Sequence, residues 1–140
     1  MRATPRAAAP GPRPSRSRRG DAGVASLEYL GMLPFLLLVA LAGIQLGLVA
    51  YCGEQAGTAA RTAARTAAES GPNGGTEASG TQAGQAAVSD WLTVNISWGG
   101  STLDMEKATA SVPVPSVLPG ISLFDPVTRS ATMPKEDTTP

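Results

Sequence analysis

Few residues of this 140-residue chain could do chemistry. Histidine is absent, which removes His-based triads, the commonest general base and the commonest metal ligand together. The single cysteine, Cys52, cannot form an internal disulfide and reads as a small buried side chain, and no group of Cys, Asp and Glu has metal-ligand spacing. Two acid pairs, Asp104/Glu106 and Glu136/Asp137, sit among polar, turn-like neighbours and read as solvated surface. One carboxylate differs from these. Glu28 stands five residues after Gly23, between a basic N-terminal stretch and the 25 uncharged residues 29–53. A carboxylate at such a border either faces the lipid headgroups at a helix start or is costly unless a cation meets it, so an ion pair is the chemistry it could do. No catalytic residue, cofactor or metal is expected, and the inventory argues against an enzyme.

The element that positions Glu28 is the uncharged run itself. At about 1.5 Å per residue, a helix over residues 29–53 covers roughly 37 Å, enough for a bilayer core of about 30 Å. The net charge of zero hides an asymmetry: six arginines and no acid precede Asp21, whereas five basic and eleven acidic residues follow from there. Basic residues flanking a span stay inside. The expected topology is therefore a single-pass cell-membrane protein, with a cytoplasmic N-terminus and an extracytoplasmic C-terminus. Nine arginines against two lysines, with abundant Ala, Gly and Pro, fit bacterial coding DNA rich in G and C.

In chain order, residues 1–23 read as a flexible basic leader, because their prolines and arginines show no apolar period. A helix is expected from Val24, bent near Leu30 by Pro34, with Gly43 and Gly47 as a small-xxx-small pair for helix packing. Gln45 is the one amide side chain in the run. Beyond Glu54, alanines at 56, 59, 60, 63, 64, 67 and 68 keep one helical face, which extends the helix to Glu69. Residues 70–90 read as a Gly/Ser/Thr-rich linker, a loop to Gly84 with a short helical turn over 85–90. Residues 91–133 read as a small β-rich segment. Trp91–Trp98 alternates as a half-buried strand, Gly99 and Gly100 turn, and Ala108, Ala110 and Val112 alternate on the return. Pro113, Pro115 and Pro119 confine the next stretch to an edge or connection, and a last strand falls at Val127–Met133, before a disordered tail over 134–140. The fold class expected is α+β and membrane-anchored. It consists of one long N-terminal helix, half transmembrane and half projecting, with a small antiparallel β segment that the helix covers.

A basic leader, Gly23, the residues Val24-Ala25-Ser26-Leu27, then Glu28-Tyr29, Leu33-Pro34 in an apolar run, and the helical ARTAARTAA resemble the TadE-like pseudopilins, a type IV prepilin-like family. That resemblance implies removal of the leader by a prepilin peptidase between Gly23 and Val24, with Gly20 as a second choice. It also implies assembly through the N-terminal helix, with Glu28 meeting the new Val24 amine of a neighbouring subunit. The partners implied are the membrane, the peptidase, other pilin or pseudopilin subunits and the assembly machinery, without nucleic acid. The function expected is a minor pilin or pseudopilin of a Tad-type (Flp) pilus or a related secretion or adhesion apparatus, resident in the membrane or carried into a surface fibre. A bitopic anchored protein never built into a fibre, and a polypeptide released by signal peptidase, are the alternatives.

Overall fold

The computed structural model describes residues 11, 19–69, 75–117, 120–121 and 124–136. The basic stretch before Arg19 apart from Gly11, the Ser70–Gly74 part of the linker, Pro119 and the last four residues lie outside these. In order the elements are α1 (Arg19–Ala68), α2 (Glu77–Ala86), β1 (Asn95–Trp98), β2 (Met105–Val112) and β3 (Val127–Pro134). The strands form one antiparallel sheet in the order β1-β2-β3. The α+β class read from the sequence is thus the class found. The chain divides into two compact units, Met1–Leu38 and Val39–Pro140.

Helix α1 starts at Arg19, ahead of the Val24 start read from the sequence, and runs on through Pro34. In the first unit its large apolar side chains are open, with Leu27 72% and Phe35 70% exposed. Within the second unit the same helix becomes a core element. Cys52, Ala56, Ala59 and Ala60 form a buried cluster with Val94, Ala110 and Val112, and Ala63 and Ala64 form a second one with Ala108. Cys52 is the small buried residue its position suggested. Alanine favours the helix and adds no bulk, so strands and helix can approach closely on this face.

Helix α2 occupies residues that composition reads as linker. Thr76 caps it: its hydroxyl accepts from the Ser79 amide at 3.1 Å, and the Ser79 hydroxyl accepts from the Thr76 amide at 3.0 Å. Glu77 in the first turn complements the helix dipole. Gly80 and Gly84 each cost the helix about 1 kcal/mol against alanine, and tertiary contact offsets that cost. A β-carbon on Gly80 would stand 2.6 Å from the Ala63 carbonyl oxygen, and one on Gly84 would stand 2.9 Å from that of Ala59. Two small residues four apart on α2 therefore sit on two small residues four apart on α1. Trp98 closes this layer, its indole N–H donating to the Thr81 hydroxyl at 3.0 Å.

The sheet follows the alternation of its sequence. Strand β1 begins at Asn95 rather than Trp91, yet Val94 is buried and Leu92, Ile96 and Trp98 are half-buried, as the period required. Residues 99–104 form a longer connection than the two-glycine turn expected; Gly100 has φ +78, which suits glycine. In β2, Glu106 falls in phase with Ala108, Ala110 and Val112, so period two turns it inward. Its reading as solvated surface is therefore corrected: Glu106 is 9% exposed, and Lys135 Nζ lies 2.9 Å from its Oε1. Residues 134–136, read as tail, are tied in, because the Lys135 amide donates to the Asp104 carbonyl at 2.8 Å and the Glu136 amide to that of Ala68 at 3.3 Å.

Two predictions come from this packing. Gly84→Val should lower stability by about 1 to 3 kcal/mol, because the added atoms meet the Ala59 carbonyl. Gly57→Ala, whose β-carbon meets only the Arg61 guanidinium at 3.7 Å, should be neutral or stabilising by up to about 1 kcal/mol. Denaturant melts in detergent measure both, and equal effects would contradict the packing. The Lys135 hydrogen bond holds the Glu106 carboxyl below the usual glutamate range against the opposing pull of burial, with Ser101 assisting. A lowered carboxyl pKa stabilises fully above the unfolded-state value and loses that contribution as pH falls through the folded-state value. Glu106→Gln should therefore flatten the acid limb of the thermal stability profile while leaving its neutral part lower, and an unchanged acid limb would refute the assignment.

Candidate membrane and assembly site

From Gly23 onward, α1 is long and apolar enough to cross a membrane, with a stretch of mean hydropathy 2.3 of which 6% is buried. Such a helix is consistent with single-pass anchoring. Gly20 and Gly23, the two candidate cut positions, both lie inside α1 rather than in an extended leader. Gly23 is exposed, with nothing within 4 Å of a β-carbon built on it, and Val24 is 62% exposed. Two glycines within four residues lower the cost of opening these first turns.

Glu28 is exposed, one turn beyond Val24. It shares an open hollow on the helix surface with Gly31, Met32 and Phe35, spaced three, four and seven residues on and therefore on one face. The ion pairs found among the described residues, Arg65–Glu69 and Lys135–Glu106, leave Glu28 out. Gly43 and Gly47 are also exposed, with nothing within 4 Å of a β-carbon built on either. The glycine spacing that this chain does use for its own helix packing is that of Gly80 and Gly84, which the sequence concealed inside a Gly/Ser-rich stretch.

Gln45 is the residue whose role sequence reasoning missed, although its isolation in the apolar run was a visible signal. Its side chain is 6% exposed and uses both ends of the amide: Nε2 donates to the Pro115 carbonyl at 3.3 Å, and Oε1 accepts from the Val117 amide at 3.0 Å. The Pro-rich connection after β2 is thereby held against α1 eight residues before Gly53. Tyr51, six residues beyond Gln45, shares a 2.6 Å hydrogen bond with Ser89 and stacks on Trp91, with centroids 5.7 Å apart and planes 6° apart. Among the described residues, no group of three or more Cys, Asp or Glu side chains comes together in a way that could hold a metal.

No curated protein and no solved structure matches the chain. Residues 23–65, from the candidate cut site through the apolar run to the alanine-rich half of α1, match the family model described as TadE-like protein, the family that Gly23, Glu28-Tyr29, Leu33-Pro34 and ARTAARTAA resemble.

Proposed function

We propose that this protein is a minor pilin or pseudopilin of a Tad-type (Flp) pilus or a related apparatus, structural rather than catalytic. It is cut by a prepilin peptidase between Gly23 and Val24 and assembled through α1, with its folded part outside the cell. The TadE-like match over residues 23–65 supports a connection with Tad pilus systems, and its first residue is the glycine of the suggested cut. The charge asymmetry about the span supports the orientation.

The observation that carries the assembly role is the short sequence spacing between Glu28 and Gln45. Gln45 binds backbone of the Pro-rich connection, and lipid-exposed irregular backbone does not occur in hydrocarbon. The run available to lipid therefore shrinks from the 25 residues 29–53 to the 16 residues between Glu28 and Gln45. As helix these cover about 24 Å, against about 30 Å of bilayer core. The shortfall draws Glu28 to the hydrocarbon border or below it, where an isolated carboxylate is expensive and a cation partner stabilises it. Cutting after Gly23 creates such a cation at Val24, and the amine of an adjacent subunit can meet Glu28 and set the stagger between packed helices.

Glu28→Ala should leave membrane insertion and leader removal intact while cutting cysteine-specific or photochemical crosslinking between subunits by about tenfold or more, as loss of a desolvated ion pair would. Glu28→Gln, which keeps size without charge, should behave like the alanine variant. Crosslinking and fibre incorporation at the unmodified level in both variants would remove the assembly role.

A further inference from the structure

We propose that the folded part of the protein rests on the bilayer surface, with Tyr51, Trp91 and Ile121 at headgroup depth around the point where α1 leaves the hydrocarbon. The proposal rests on the membrane reading of α1. Its starting point is the exit plane that Gln45 defines, since the connection it binds is irregular backbone exposed at Pro115 and Ser116, which does not enter the hydrocarbon core. Exposed apolar surface nevertheless continues beyond that plane. Leu46 is 62% exposed, Tyr51 38%, Trp91 58% and Ile121 53%.

These side chains are fixed to the neighbourhood of Gln45 by bonds within one compact unit. Ile121 is held to the clamped connection because its carbonyl accepts from the Ser116 hydroxyl at 2.5 Å. Trp91 is held to α1 by its stack on Tyr51. Tyr51 lies six residues past Gln45, about 9 Å along the helix, and helical side chains lean back toward the N-terminus. That brings its ring into an interfacial layer about 5 to 8 Å thick on each side of the core. Tyrosine and tryptophan, apolar bodies with polar tips, are the side chains that favour this layer. Asp90, Asp125 and Arg129 are exposed close by in sequence to these residues and give no cationic excess, so apolar insertion and not attraction to anionic lipid supplies the contact. Lipid is the occupant because Ile44, in the apolar run and seven residues before Tyr51, is exposed on the same helical face as Tyr51.

The two tryptophans provide the test. Trp98 packs on the cluster of Ala63 and Ala64, and Ala63 is 18 residues past Gln45, about 27 Å along the helix and well outside the bilayer. The full chain is placed in phosphatidylcholine vesicles containing a lipid brominated near the headgroup, as the variants Trp98→Phe and Trp91→Phe. Emission from Trp91 should fall at least twofold, while emission from Trp98 should be unchanged. Because Trp98→Phe removes a hydrogen bond to Thr81, fluorotryptophan labelling of the unmodified chain gives a second reading. Headgroup-level paramagnetic lipid should broaden one of its two fluorine resonances, the one missing from Trp91→Phe. Equal effects on both residues, or none on Trp91, in protein that floats with the vesicles would overturn the seating alone. Failure to float would overturn the membrane reading and the seating with it.

Discussion

The close approach of backbones along the outer half of α1 is the constraint on which the rest of this molecule depends. Ala56, Ala59, Ala60, Ala63 and Ala64 are all fully buried, and none carries more than a β-carbon. A strand of alanines, β2 with Ala108 and Ala110, and a helix of glycines, α2 with Gly80 and Gly84, complete the contact. With so little volume per residue, dispersion must come from short distances rather than from large side chains. One methyl group too many on α2 is therefore felt directly by an α1 carbonyl.

The helix that carries this core also holds a stretch long and apolar enough to cross a membrane. Before Gln45 its large side chains are open, and after Cys52 its small ones are closed over by sheet and helix. Gln45 marks the change, since its amide is satisfied entirely by backbone of the connection after β2. A polar side chain inside an apolar run usually signals a packing or transport role within the membrane. Here it fastens the connection after β2 to α1 within the second unit.

Much of this was legible in the sequence because it depends on period. Alanine spacing gave the extension of α1, and alternation gave the inward faces of β1 and β2. Glu106 followed the same period and was nevertheless read as surface, since its partner Lys135 lies 29 residues away and only the β2–β3 register brings them together. Helix α2 was hidden because Gly80 and Gly84 disfavour an isolated helix, and their contact with Ala59 and Ala63 has no local signature. The start of α1 at Arg19 was missed for the converse reason: charge and glycine suggested flexibility where the helix in fact continues. At the candidate site, Gly23 and Glu28 stood out by their spacing and by the family resemblance, whereas the meaning of Gln45 required knowing which backbone reaches it.

The proposed assembly role of Glu28 requires that the basic leader be removed and a new amine be made at Val24. The mass and N-terminal sequence of the chain recovered from the membranes of its own host test that claim most directly. A chain beginning at Val24 is the expected result. An intact leader, or a chain beginning beyond Gly53, would contradict it.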